Sequence, residues 1–538
     1  MKKLLLIISL LMPATIATGC KHNDTPTEEP IVEKPVINIP KNEIYAALEG
    51  GTYSISYTIS NPIEDGKLEI GDIPEWIDNV NVTEDEIEVS VLANEKNINR
   101  SATMSASYTG AEKDASVKVF QDRVSKREDI FAMYTNSDIP YRIPAIAVTP
   151  TGRIICVADY RHSGADIGVV NNGRIDLHYR ISDDNGESWG EVLTLIEGQG
   201  AESPDFMNVG YGDPCIVADR ESNRVLVMSC AGNVSYPNGT RNNHQCIARF
   251  YSEDGGISWS EPEDIAESIY SQFDDSNNGP VRAMFIASGR IYQSRFVKVG
   301  SYYRLYCAAL VKNVNGVPTN FALYSDDFGM SWTVLGGADR APVSQYADEP
   351  KVEELPDGSL LISSRWEGGR YYNIFTFDDP VAATGSWGNK AFSGASNSGV
   401  KAQSNSTNGE VLVLPVTRLS DSAPMHLILQ SVPLGPGRAN VGIYYKELAD
   451  ENDYSTPANL AKNWDGVYQA TELNSAYSTM ALQSDNTIAF LFEETTHCEG
   501  NSGYGGYTIV YDNYSIEFLT NGKYSYREEE VSRRLQTH

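Results

Sequence analysis

Two patterns of apolar and polar residues divide the chain. From residue 36 to about 122, apolar and polar positions alternate between turns of Gly, Asn and Pro, as in "GGTYSISYTIS", "EIEVSVLAN" and "ATMSASYTG". Strict alternation puts apolar side chains on one face of a strand, so this segment predicts a small antiparallel β-sandwich. From about residue 130 the pattern changes to turns that each open an apolar run: "TGRIICVA", "SNRVLVMS", "SGRIYQSR", "DGSLLISS", "NGEVLVLP" and "DNTIAFLF". Their turn residues Gly152, Asn223, Gly289, Gly358, Gly409 and Asn486 stand 51 to 77 residues apart. That spacing has room for a sheet of about four strands each time. No long amphipathic helix competes. Six sheets arranged radially predict an all-β chain with a six-bladed β-propeller over residues 130–538, each of these turns joining the first two strands of its sheet.

A second repeat runs through the same region. "RISDDNGESWG" from Arg180, "FYSEDGGISWS" from Phe250 and "YSDDFGMSWT" from Tyr324 share Ser-x-Asp-x-Gly-x-Ser-Trp. Asp184, Asp254 and Asp327 can bond the backbone of their own tight turns. Gly186, Gly256 and Gly329 supply permissive backbone, and Trp189, Trp259 and Trp332 suit burial between strands. These residues predict scaffolding between the third and fourth strands, on the same face as the other turns. Function belongs on the opposite face.

Charge narrows the partners. With 42 basic and 72 acidic residues the net charge is −30, which argues against nucleic acid or an anionic membrane surface. An anionic ligand would need a local cluster of arginines, which salt screening permits. "MKKLLLIISLLMPATIATGC" has two lysines, an apolar run too short to span a bilayer stably and small residues before Cys20, the pattern of an export signal over residues 1–19. The Pro- and acid-rich residues 20–35 read as a tether. The six further cysteines, at 156, 215, 230, 246, 307 and 498, sit mostly in apolar strand-like runs without metal-ligand spacing, and neither an HExxH motif nor EF-hand spacing occurs. No metal and no cofactor is expected.

Residues equally far before and after a hairpin turn face each other, so the strand ends remote from the turns can be found by counting. The count reaches Arg142 and Arg161 around Gly152, Glu349 and Arg365 around Gly358, and Tyr477 and Glu493 around Asn486. Asp213 stands ahead of Asn223, and loops joining second and third strands carry Asp166 and Arg438 on the same rim. Each has an ordinary alternative as a surface charge, an ion-pair partner or one of 31 tyrosines. Their convergence on one rim selects a site. Glu494 competes with Glu493, and the two-residue period of the strand favours Glu493.

These motifs strongly resemble the bacterial exo-α-sialidases (neuraminidases) over roughly residues 130 to 530. "YRIP" at 141–144 is similar to the family's opening motif, whose arginine, here Arg142, grips the substrate carboxylate with two others, matched by Arg365 and by Arg438 in "RANVGIYY". The step from Arg161 to Asp166 resembles the arginine near the sugar 4-hydroxyl and the acid/base aspartate. "DEPKVEELPDGSLLISSR" implies Glu349 as general base, "AYSTM" implies Tyr477 as nucleophile, and "FLFEE" implies Glu493 as the residue orienting the first arginine. Asp213 resembles the N-acetyl contact. The resemblance implies release of terminal sialic acid from glycans, glycoproteins or gangliosides with retention of configuration. A trans-sialidase, or a non-catalytic sialoglycan-binding or mucin-binding propeller, is the alternative.

The amino-terminal segment resembles a BACON domain through Gly50-Gly51, Trp76-Ile77, "NEKNINRSATMS" and "VKVFQD", a module that serves as a glycan binder or a spacer. Ala17-Thr18-Gly19-Cys20 resembles a bacterial lipoprotein cleavage site. It implies lipidation of Cys20 and an exported outer-membrane lipoprotein, periplasmic or cell-surface, of a Gram-negative bacterium, held to the membrane by that lipid.

Overall fold

The computed structural model describes residues 33–133, 139–402, 406–496 and 506–529. The expected export signal, Cys20, most of the expected tether and Cys498 lie outside them. The chain divides into two compact units, one reaching to Asn94 and taking in Arg100–Gln121, the other holding Glu95–Asn99 and the residues from Asp122 onward.

In the smaller unit, a four-stranded and a three-stranded sheet contribute to one core, with Ile44, Met104 and Val119 from the first and Ile55, Ile87 and Val89 from the second. The expected antiparallel order fails at one pair. Glu43–Ala46 runs parallel to Ala115–Gln121, because it pairs with the unit's last strand rather than with a hairpin neighbour.

The larger unit is built from six sheets of four to six strands, and its α-helices among the described residues are single turns of four or five residues. The innermost strands are β1 (Tyr141–Val148), β2 (Tyr211–Ala218), β3 (Tyr292–Val299), β4 (Pro350–Glu354), β5 (Val411–Arg418) and β6 (Ser475–Leu482). Neighbouring sheets meet along these strands, and β6 returns to pack on β1. Each adjoining pair of sheets shares its own apolar cluster, six in all. A sheet clamped on both faces must be apolar on both faces, which is why these strands read as continuous apolar runs. The last sheet takes its fourth strand, Glu128–Phe131, from ahead of the first sheet.

The hairpins at Gly152, Asn223, Gly358 and Asn486 join first and second strands, and Gly152, Gly358 and Asn486 take the left-handed conformation such tight turns require, with φ of 85, 84 and 65°. Gly289 and Gly409 do not fill that role. The third sheet turns at Gly300 and Ser301, the fifth at residues 419–422. Gly289 instead belongs to a two-residue strand pairing in parallel with β2, where a Cβ would come within 2.3 Å of Lys351 Nζ. A Cβ on Gly409 would come within 2.0 Å of the Ser431 carbonyl oxygen. Both also have positive φ, 99 and 57°, so they share the backbone of a turn glycine without closing a hairpin.

The three Asp boxes lie between third and fourth strands. In each, the aspartate accepts the amide of the serine four residues on, at 2.9 Å from Ser188, Ser258 and Ser331. The opening serine hydroxyl accepts the glycine amide at 2.7 to 2.9 Å. Trp332 is buried, whereas Trp189 and Trp259 are partly buried against their inter-sheet clusters.

Candidate active site

The ends of the inner strands remote from the hairpins break regular pairing. The ladder shifts between Arg142 and Ala145 in β1, between Gly212 and Cys215 in β2, and between Ser475 and Ser478 in β6. Bulges of this kind re-aim side chains. Ile143 and Asp213 adopt φ of 53 and 56°, a left-handed backbone that costs a non-glycine residue about 1–3 kcal/mol and persists only where its surroundings fix it. In "YRIP" and "YGDP" the strained residue precedes the proline, so the two strands repeat one device. The bulge also corrects a register: Arg142 lies opposite Asp159, not opposite Arg161.

Tyr477, inside the break in β6, meets Glu349 and Arg365, which face each other at the end of the unbroken β4 ladder. Tyr477 Oη donates to Glu349 Oε1 at 2.7 Å, while Arg365 Nη1 donates to Glu349 Oε2 at 2.9 Å and to Tyr477 Oη at 3.3 Å. Arg142 and Arg438 flank the Tyr477 ring, with guanidinium carbons 5.6 and 5.3 Å from its centroid, within cation–π range. Burial, then the Glu349 carboxylate, pushes the Tyr477 phenol well above its ordinary value, against the opposing pull of Arg365 and Arg438. The resting phenol therefore keeps its proton, and a carboxylate stands ready to accept it.

Glu493 lies fully buried beneath this group. It accepts Arg142 Nε at 2.8 Å, the Ile143 amide at 2.7 Å and the Tyr477 amide at 3.2 Å. One carboxylate thus fixes the arginine, the strained bulge and the tyrosine. Glu494 points elsewhere, to Arg127 and Thr496.

Arg161 is also fully buried and meets three carboxylates. It donates to Asp159 at 2.7 and 2.9 Å, to Asp213 at 3.4 Å and to Asp166. Asp166 has its side chain 70% exposed, in the loop between the first sheet's second and third strands. The Arg161 guanidinium holds its carboxyl below the ordinary range. Burial, with Asp159 beside it, drives the Asp213 carboxyl well up, and burial brings Asp159 to about 6.

Three neighbours were missed by sequence reasoning. Asp159 was legible in principle, two positions before Arg161 on one strand and hence on the same face. Asp348, whose carboxylate lies 3.4 Å from Arg365, hides beside Glu349. Tyr507, 5.1 Å from the Arg142 guanidinium, carries no local signal. Among the described residues no group of three or more His, Cys, Asp or Glu is arranged to hold a metal ion.

The BNR/Asp-box repeat family matches residues 250–261. The chain is 29% identical over 277 residues to a sialidase of Micromonospora viridifaciens, covering 46% of this chain and 39% of that protein. It is 25% identical over 237 residues to a sialidase of Bacteroides fragilis, covering 42% and 39%. The match thus spans well under half the length of either relative. Its fold is similar to that of a leech intramolecular trans-sialidase solved with 2,7-anhydro-Neu5Ac, at a TM-score of 0.56 and 16% identity over 88% of this chain and 95% of that one. The chain is a mostly β protein related to sialidases and shares the fold of their propellers.

Proposed function

We propose that the chain is an exo-α-sialidase that releases terminal sialic acid from glycoconjugates with retention of configuration, and that its six sheets are the blades of a six-bladed propeller. The hydrogen bond from Tyr477 to Glu349 at 2.7 Å, set among Arg142, Arg365 and Arg438, carries the proposal. A sialic acid bears a carboxylate on its anomeric carbon, which three guanidiniums can hold through charge-assisted bonds. That carboxylate repels an anionic nucleophile. A neutral tyrosine avoids the repulsion if its proton leaves as the bond forms, the exception to two-carboxylate glycosidases.

In the first step Tyr477 Oη bonds to the anomeric carbon, its proton passes to Glu349, and Asp166 protonates the departing glycosidic oxygen. In the second, Asp166 takes a proton from water, the water oxygen replaces Tyr477 at the anomeric carbon, and Glu349 returns the proton to the phenolate. Arg161 favours ionised Asp166 in the empty site, so the acid form depends on the charge and desolvation that substrate brings. Arg161 and Asp213 would face the 4-hydroxyl and N-acetyl groups.

Transfer to another sugar would use the same residues, whereas a binding-only propeller has no need of the Tyr477–Glu349 pair. Incubation with sialyllactose, with and without added lactose, separates the three. Free sialic acid, first formed as the α-anomer by proton NMR, is the expected result; sialylated acceptor alone would make it a transferase, and unchanged substrate would sink the enzyme reading. At the amino terminus, lipidation of Cys20, outer-membrane attachment and a BACON-like role for the small unit belong to the same proposal. They are tested by labelling with a radioactive fatty acid and by glycan binding of the isolated segment.

A further inference from the structure

The inner strands also enclose space at their other end, toward the hairpins. There all six contribute to a cavity of about 430 Å³, a size typical of small-molecule sites. Its walls are largely apolar, with Ile216, Leu412 and Leu414 among them. Its charged lining among the described residues is Arg220, Arg290 and Arg295 against one carboxylate, Glu353. In a chain of net charge −30 this lining is locally basic, with the buried Glu354 carboxylate 4.0 Å from Arg295 as a further counter-charge.

The guanidiniums are incompletely used. Arg290 Nη2 donates to Glu353 at 2.5 Å and to the Val411 carbonyl at 2.8 Å, and Arg295 Nη2 donates to the Glu354 carbonyl at 2.5 Å. The Nε atoms of both are buried and have no hydrogen-bond partner. Arg220 donates to the Gln293 carbonyl at 3.0 Å and lies 4.5 Å over the Tyr303 ring. Arg295 Nε lies 4.0 Å from the buried Glu354 carboxylate, and the Arg290 and Arg295 side chains keep 15 and 18% of their surface open, so what they offer the cavity is their exposed guanidinium edges. Burial lifts the Glu353 carboxyl to about 7 in spite of Arg290 and Arg295, which leaves the positive charge less than fully offset at neutral pH. A buried polar plug lies between this cavity and the tyrosine end, where Lys351 stands 3.6 Å from Glu410 and Thr479 donates to Glu410 at 2.9 Å.

We propose that this axial cavity binds a small organic anion, a carboxylate on an apolar body. Its oxygens meet the exposed guanidinium edges of Arg290 and Arg295, and its body packs on the apolar wall that includes Leu412 and Leu414. A bare phosphate would satisfy the donors but leave the apolar walls against water; a neutral apolar ligand would leave the donors unmet. The site is independent of the proposed sialidase chemistry.

4-Bromobenzoate tests it, because anomalous scattering from bromine locates the molecule directly. Soaked crystals of the full chain should show bromine inside the cavity, and crystals of Ala218→Leu, which fills the wall without removing a donor, should not. In solution, an Arg365→Ala background weakens carboxylate binding at the opposite end. There calorimetry should find saturable 4-bromobenzoate binding, weakened at least tenfold by adding Ala218→Leu and likewise by adding Arg295→Met should the first variant fail to fold. Bromine only at the tyrosine end, ordered water alone in the cavity, affinity indifferent to both variants, or displacement by equimolar inorganic phosphate would each overturn the proposal.

Discussion

At the hairpin end of the larger unit, the three Asp boxes repeat one geometry, each aspartate accepting a serine amide at 2.9 Å. At the other end of the same sheets, three inner strands lose register, Ile143 and Asp213 sit in left-handed backbone, and Glu493 and Arg161 are buried charges tied to several partners. Regular pairing satisfies backbone groups cheaply but points side chains along a fixed alternation. Converging a tyrosine, a glutamate and arginines on one point requires leaving that alternation. The bulges supply the departure, and the six inter-sheet cores hold it in place.

The sharpest way to break this comparison is Tyr477→Phe. Sialoside turnover should fall at least about 10³-fold, while sialic-acid binding by calorimetry stays within a few-fold, since no guanidinium is removed. Parallel loss of both would take the nucleophile role from Tyr477. Next, Asp166→Ala should cost more on sialyllactose than on an aryl sialoside by roughly 10²-fold, because a sugar alcohol needs a proton as it leaves and a phenolate does not. The pH profile bears on the same group. Arg161 lowers the Asp166 carboxyl, so its acid form grows as pH falls, and native kcat/KM on sialyllactose should rise from pH 7 toward pH 5 more steeply than on the aryl substrate. A flat ratio would remove the acid assignment.

Arg365→Ala and Arg438→Ala should each weaken binding of a sialic-acid analogue by roughly 10- to 100-fold, the range of a lost charge-assisted bond, and lower turnover with it. Unchanged affinity in either would dissolve the proposed clamp. The smallest effect belongs to the regular end: Asp254→Ala or Asp327→Ala should lower Tm by about 2–4 °C and leave activity per folded molecule nearly unaltered. A folded but inactive box variant would erase the distinction between the two ends.

How much of this was legible follows from the same contrast. The Asp boxes announce themselves because their chemistry is local, a side chain bonding its own turn. Glu349 and Arg365 were reachable by counting, since β4 keeps its register to the end. Counting failed at Arg142, where the bulge substitutes Asp159 for Arg161 as the facing residue. It also failed where Gly289 and Gly409 imitated turns, because both have positive φ, 99 and 57°, as turn glycines do, and sequence does not show whether such a backbone closes a hairpin. Tyr507 joins the site through tertiary placement, which no short motif encodes, whereas Asp348 stands beside Glu349 in the sequence and was masked by it.

The strand Glu128–Phe131, which completes the last sheet by pairing with Thr508–Tyr514, bears on how the ring is made. Its partner is synthesised at the far end of the unit, so this contact spans nearly the whole sequence of the ring and raises its contact order. Until both ends are available, one sheet lacks its outer strand and offers an open edge to other chains. Closure is therefore a late and slow step of assembly. A chain shortened before Thr508 would retain every Asp box and most of the site, yet its last sheet would keep two strands with a bare edge prone to association.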